Sequence, residues 1–137
     1  MIVQRSLVAV EGSCSDMRHA QIVTYGVEGK LLDKVREWAE SARVKLRPLR
    51  HPASCPTTLQ REGASVVLLK TGRDLEKELA LLEQISTHYP EIPTIVLGDD
   101  DHPPLAALAW DLGAACVLMP LESFETLREA IVPWLPV

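Results

Sequence analysis

The sequence predicts a three-layer α/β domain in which helices cover both faces of a five-stranded parallel sheet. Two apolar runs, 64–70 (Ala-Ser-Val-Val-Leu-Leu-Lys) and 93–97, are too short to span a membrane and lack helical spacing. Runs of this kind are typical of strands that are buried on both faces. Strand-like and helical segments also alternate from residue 20 onward, which predicts parallel strands joined by right-handed crossovers.

Three patterns predict the elements in the first half of the domain. An apolar strand at 20–25 ends at Gly26, and a helix at 27–42 follows it. Charged and apolar residues alternate at 43–49, which indicates a strand nearer the edge of the sheet. Prolines interrupt 51–63, so no long helix is expected there. The helix at 27–42 is predicted from apolar residues that recur on one face, namely Leu31, Val35, Trp38 and Ala42.

The elements of the second half begin with the buried strand at 64–69. Asp74 is the predicted N-cap of a helix that ends before Pro90. Lys77 stands where a capping box would place Glu, so the box itself is not expected. The apolar stripe of this helix comprises Leu75, Leu79, Leu82 and Ile85.

Two further strand–helix pairs complete the domain. The strand at 93–97 precedes a short helix that ends at Gly113, a glycine suited to the residue after a helix. A last strand at 115–119 precedes a helix that Pro133 ends or kinks. The short helix turns inward Leu105, Leu108, Ala109 and Leu112, and the last helix is marked by Phe124, Leu127 and Ile131.

Five strands in this arrangement predict the flavodoxin-like order 2-1-3-4-5. We expect one domain at 20–137, preceded by an N-terminal extension at 1–19. The extension contains apolar clusters, so we expect it to form an extra strand, an arm that packs on another protomer, or a tail.

Composition excludes several functions. A net charge of −5 argues against a nucleic-acid partner, which requires a concentrated basic surface. The densest basic cluster, at 43–50, is expected to be a solvated strand face rather than an anion site. The three cysteines are far apart, so neither a zinc site nor a disulfide framework is indicated, and Cys116 is expected to be buried. No membrane span or signal-peptide pattern is present, and we expect a cytoplasmic protein.

Three stretches together carry a resemblance to a known family. They are 64–70, 92–101 (Ile-Pro-Thr-Ile-Val-Leu-Gly-Asp-Asp-Asp) and 106–120 (Ala-Ala-Leu-Ala-Trp-Asp-Leu-Gly-Ala-Ala-Cys-Val-Leu-Met-Pro). They resemble the receiver domains of bacterial two-component response regulators. The last stretch is the most specific, because receivers carry an Ala-rich helix, then Leu-Gly-Ala, then a strand that closes on Pro. The resemblance covers about residues 20 to 135 and is weakest at 51–63.

The resemblance also identifies a degenerate phosphorylation pocket. Receivers place an acidic pair after strand 1, a phosphorylated Asp at the end of strand 3, Thr or Ser after strand 4 and Lys before the Pro that follows strand 5. The matching residues here are Tyr25 with Gly26, Lys70, Gly98 and Met119.

These departures predict a pseudo-receiver. Phosphoryl transfer to a side chain needs a carboxylate nucleophile and a metal that offsets the developing charge. Lys70 cannot form an acyl phosphate, and its ammonium would repel a divalent cation. We therefore expect a non-enzymatic domain with no metal, no cofactor and no phosphate switch.

Two other motifs have more than one interpretation. The run Asp99–His102 offers metal-ligand atoms, but adjacent residues rarely point to one centre, and aspartates that cap the helix near Pro103 are the simpler interpretation. A third interpretation is that one of these aspartates reaches Lys70. The turn 26–30 has the setting of a phosphate loop but lacks its spacing, and Glu28 would repel phosphate, so neither phosphate nor flavin is expected.

The expected partner is a protein in a signalling or regulatory pathway. Trp110 lies away from the inner face of the short helix, and Ala106 lies one turn before it. With the edge from Leu121 to Phe124, these residues form the predicted contact surface, unless Trp110 packs on a neighbouring element. Receivers commonly pair through the fourth helix, fifth strand and fifth helix, so the partner is another protein or a second copy.

A second function class remains open from sequence. The strand ends near Gly26, Lys70 and Gly98 are where a small-molecule-binding or enzymatic flavodoxin-like domain would place its site. A desolvated Lys70 would act there as nucleophile or base.

Overall fold

The computed structural model describes residues 20–135, so the predicted extension at 1–19 and the last two residues lie outside the description. One parallel sheet forms the centre, in the order β2-β1-β3-β4-β5. This confirms the predicted order 2-1-3-4-5. The strands are β1 (Gln21–Tyr25), β2 (Lys45–Leu49), β3 (Val66–Lys70), β4 (Thr94–Leu97) and β5 (Cys116–Leu118).

Within the described residues, four helices connect the strands and a fifth follows the last strand, and none is long and apolar enough to cross a membrane. They are α1 (Gly29–Ser41), α2 (Ser54–Glu62), α3 (Leu75–His88), α4 (Pro103–Asp111) and α5 (Phe124–Ile131), with a 3₁₀ turn at Val132–Trp134 after α5. Every crossover between consecutive strands therefore contains a helix, as a parallel sheet requires.

Alternate side chains of each strand enter different layers of the core. Val23, Val67 and Val96 pack with residues of α2, α3 and α4 on one face. Ile22 and Leu68 pack with residues of α1 and α5 on the other. The first four residues of β3, from Val66 to Leu69, are fully buried, as the apolar run predicted.

Helix α2 is more regular than the sequence suggested. The segment 51–63 was expected to contain no long helix, yet nine of its residues are helical. Pro56 lies in the first turn of α2, where a missing N–H removes no intrahelical hydrogen bond. Cys55 and Leu59 are buried against the sheet, so tertiary packing outweighs the weak local pattern.

Several residues that were predicted to lie on the inward face of a helix or in the core are exposed or only half-buried. Leu75 and Leu108 are each 42% exposed, and Ala42 is exposed as well. Leu75 is the first residue of α3 and Ala42 follows α1, so both lie at helix ends. Ala109 is the buried residue of α4. Cys116 is only half-buried, because β5 is an edge strand.

Candidate functional site

The sequence-predicted pocket residues meet at the carboxyl edge of the sheet as two neighbouring groups. Tyr25 ends β1 and Lys70 ends β3, and these strands are paired directly. Gly98 follows β4 and Met119 follows β5, and these two strands are also paired directly. Open parallel sheets bind ligands beyond this edge.

Lys70 is held by an aspartate of the next strand end. Its Nζ lies 3.2 Å from Oδ1 of Asp99, the second residue after β4. The Lys70 side chain is 22% exposed, whereas the Asp99 side chain is 78% exposed. Of the interpretations of the Asp99–His102 run, the structure therefore contains the one in which an aspartate reaches Lys70.

Gly26 lies against the backbone of Lys70. A Cβ built on Gly26 would stand 2.8 Å from the carbonyl oxygen of Lys70 and 3.3 Å from its Cβ, and the φ angle of Gly26 is +82°. Both the contact and the left-handed backbone require glycine. An acidic side chain at this position would need the backbone of β3 to move.

Met119 fills the space above Gly98. A Cβ on Gly98 would approach Met119 Cγ to 2.8 Å and Thr71 Oγ1 to 3.4 Å. The hydroxyl of Thr71 donates a 2.9 Å hydrogen bond to the carbonyl of Leu97. Gly98 itself donates to the carbonyl of Leu118 and accepts from the N–H of Leu121. Apolar atoms and satisfied backbone groups thus occupy this end of the pocket.

Glu78 is a structural residue that the sequence interpretation missed. It is only 2% exposed and accepts hydrogen bonds from the backbone N–H groups of Gly72 at 2.9 Å, Arg73 at 3.2 Å and Asp74 at 3.2 Å. Asp74 caps α3 by accepting from Lys77 N, as predicted. The only signal in the sequence was that Glu78 directly follows Lys77, which occupies the capping-box position. Its carboxylate fixes the loop that follows β3.

The polar loop after β4 caps α4 through its histidine. His102 Nδ1 accepts from the N–H of Leu105 at 3.1 Å, so the cap is His102 and not an aspartate. Asp100 and Asp101 are exposed. Within residues 20–135, no three His, Cys, Asp or Glu side chains are grouped closely enough to hold a metal ion.

Solved structures with the same architecture identify the fold. No protein-family model matches the sequence, and no curated protein is significantly similar to it. The N-terminal signal receiver domain of a response regulator from Bacteroides fragilis superposes with a TM-score of 0.70 at 21% identity, covering 85% of this chain and 96% of that chain. A CheY-like receiver domain protein from Methanospirillum hungatei JF-1 gives 0.73 at 15% identity, covering 84% and 92%. The chain has the receiver-domain fold.

A third receiver domain agrees with these two. The signal receiver domain of an HD domain-containing protein from Pseudomonas fluorescens Pf-5 gives a TM-score of 0.73 at 19% identity, covering 85% of this chain and 94% of that chain. The shared order of the sheet places Tyr25, Lys70 and Gly98 at the carboxyl ends of the three central strands of the receiver fold.

The predicted contact residues differ in their surroundings. Trp110, on α4 of the receiver fold, is 52% exposed, and Ala106 one turn earlier is half-buried. Leu121 and Phe124 are half-buried and pack on the core layer of α1 and α5. Phe124 meets Trp38 edge to face, with the ring centroids 6.3 Å apart. Trp110 is therefore the residue of this set with a large free apolar surface.

Proposed function

We propose that this chain is a receiver-like regulatory domain that acts through protein contacts and is not phosphorylated. One observation carries the proposal: the end of β3, where the resemblance implies a phosphorylated Asp, holds Lys70, with its ammonium 3.2 Å from Asp99. A cation at this point supplies no nucleophile for a phosphoryl group and opposes the binding of Mg²⁺.

The neighbouring positions support the same conclusion. The close approach of Gly26 to Lys70 leaves no space for a side chain at Gly26, one of the two positions matched to the acidic pair that would hold a metal. Met119 presents a thioether where a Lys would pair with phosphoryl oxygens. Three of the chemical parts of phosphoryl transfer are thus replaced by groups that pack or pair with the protein itself.

A domain without this switch regulates through the surface that it presents. Trp110 and Ala106 on α4, with Leu121 and Phe124 beside α5, are the proposed contact residues for a protein partner or a second copy. Exposed tryptophans are enriched among the residues that dominate interface energies. The small-molecule or enzymatic alternative at Gly26, Lys70 and Gly98 is less well supported, because the ion pair occupies Lys70 and Met119 covers Gly98.

Phosphoryl donors test the proposal directly. The purified chain is incubated with acetyl phosphate and Mg²⁺, beside a phosphorylatable receiver domain as positive control, and the intact mass is measured. We expect the control to gain a phosphoryl group and this chain to keep its mass. A phosphoryl adduct on any carboxylate would overturn the proposal, and Asp99 is the first to examine by peptide mapping because it pairs with Lys70.

A further inference from the structure

A cleft of about 530 Å³ opens at the same edge of the sheet, beside the degenerate pocket. Its walls come from four places: the end of β1, the first turns of α1, the end of β2 and the loop before α3. Lys70, Gly98 and Met119 are not among its lining residues. Clefts of roughly 300 to 1,000 Å³ hold small molecules, and open parallel sheets place them where the strand order reverses, as it does beside β1.

The acidic residues of the cleft are already satisfied by the protein. Glu28 pairs with Arg73, and Asp74 caps α3. Glu78 accepts three backbone hydrogen bonds from the loop before α3. Each of these carboxylates therefore already has a hydrogen-bond or ion-pair partner within the protein.

Two arginines of the cleft form no ion pair with the residues that the structure describes. Arg36 extends from α1 and Arg50 follows β2, and both are exposed. Neither belongs to any of the ion pairs formed within residues 20–135. Their guanidinium groups are therefore available to an anion, since guanidinium binds carboxylate and phosphate through paired hydrogen bonds.

The remaining lining is apolar and aromatic. Leu32, Pro48 and Leu49 contribute aliphatic surface, and Tyr25 contributes its ring. Burial raises the pKa of the Tyr25 phenol, and the charges of Glu78 and Asp74 raise it further, whereas Arg73 opposes them. Tyr25 therefore presents a neutral hydroxyl, which can donate a hydrogen bond.

We propose that this cleft binds a small organic anion, whose carboxylate or phosphate pairs with Arg36 and Arg50 while a ring-sized apolar body packs on Leu32 and Leu49. Because the cleft is concave and has the volume of a small-molecule site, it favours a small molecule over a protein surface. This proposal is independent of the proposed function, because binding of a small anion at this cleft requires no phosphoryl transfer.

Titrations of the isotope-labelled protein by NMR test the proposal, with phenyl phosphate, benzoate and inorganic phosphate as probes. We expect saturable shifts of the Gly26, Gly29 and Arg50 amides with phenyl phosphate or benzoate, and weaker binding of inorganic phosphate, which lacks the apolar body. Arg36→Gln and Arg50→Gln should each weaken binding about tenfold or more, since each removes a hydrogen bond to a charged group.

Arg61→Gln is the matched control, because Arg61 is exposed on α2, belongs to none of the ion pairs in residues 20–135 and does not line the cleft. It should bind the probes as the parent does. Unsaturable shifts, shifts centred elsewhere, or equal weakening by Arg61→Gln would overturn the proposal. So would a response to hexaglutamate with none to the small anions. The phosphoryl-transfer assay has a separate readout, so either proposal can fail alone.

Discussion

Gly26 and Lys70 are in contact across β1 and β3: a Cβ on Gly26 would stand 2.8 Å from the Lys70 carbonyl oxygen. Gly26→Ala should therefore destabilise the fold by about 2–5 kcal/mol. About 1–2 kcal/mol comes from the left-handed φ of +82°, and the rest from the steric contact. Urea unfolding gives the free energy.

Gly63→Ala is the matched control for this prediction. Gly63 has a φ of +76°, and an added Cβ would meet nothing within 4 Å. Its ψ of −177° places it in a backbone region that is nearly restricted to glycine, so Gly63→Ala should lose only the backbone part, about 1–3 kcal/mol. Equal losses for the two variants would show that the contact with Lys70 does not constrain position 26.

The Lys70–Asp99 pair should contribute little to stability. Asp99 is largely exposed, so water replaces the interaction when the pair is removed. Lys70→Met keeps the aliphatic stem and should lower the free energy of unfolding by less than about 1 kcal/mol. Lys77→Met, which removes an exposed pair with Asp74, is the comparison. A loss above about 3 kcal/mol, the range of buried pairs, would contradict this assignment.

Glu78→Gln should be one of the more damaging conservative substitutions in the chain. A carboxylate accepts with both oxygens, whereas an amide has one acceptor oxygen, so at least one N–H of this loop loses its partner on the buried Glu78 side chain. We expect a loss of about 2–4 kcal/mol in urea unfolding.

Hydrogen exchange locates the effect of Glu78→Gln. The amides of Gly72, Arg73 and Asp74 should exchange faster than in the parent protein. Glu76→Gln, at an exposed position in the same turn of α3, should leave both stability and exchange nearly unchanged. Unaltered exchange of the three amides in Glu78→Gln would show that the Glu78 carboxylate does not hold this loop.

Cys55 should be unreactive in the folded protein. The residue is fully buried, and burial raises the pKa of its thiol from 9.0 to about 11. At a pH below both pKa values, the thiolate fraction of Cys55 is about a hundredfold lower than that of an ordinary thiol. Iodoacetamide at about pH 8 should modify Cys55 only in urea, as peptide mass spectrometry would detect. Rapid modification of the native protein would contradict the burial.

The same shift gives stability a pH dependence. Because the folded state favours the neutral thiol, its contribution is complete below the unfolded pKa of about 9 and is lost as the pH rises towards 11. The parent protein should lose more stability than Cys55→Ala between about pH 8 and pH 10.5. Parallel losses in urea unfolding would exclude the thiol as the cause.

Trp110→Ala should weaken the proposed protein contact without unfolding the domain. The side chain is more than half exposed, so its truncation affects binding more than the core. A central interface tryptophan contributes about 2 kcal/mol or more, which is roughly thirtyfold in affinity. Sedimentation velocity measures self-association, and Leu75→Ala, at another exposed apolar residue, is the control. If the protein self-associates and Trp110→Ala does so equally well, this surface is not the one used.

The sequence predicts the elements whose burial leaves a local pattern, and it does not predict those that depend on contacts between distant residues. The buried run 64–70 revealed β3, because a strand covered on both faces must be apolar along its length. Helix α2 left no comparable pattern, since its nine residues are fixed by packing of Cys55 and Leu59 on the sheet. Glu78 was missed because its partners are backbone amides, which carry no sequence signal.

The sequence alone determined the five-stranded sheet, its order and the presence of a cation at position 70, because burial patterns and residue identities are written in the chain. Only the tertiary structure decided that Asp99 pairs with Lys70, that His102 caps α4, and that Arg36 and Arg50 open onto one cleft. These relationships join residues brought together by the sheet, and the distance between two side chains depends on how the layers pack.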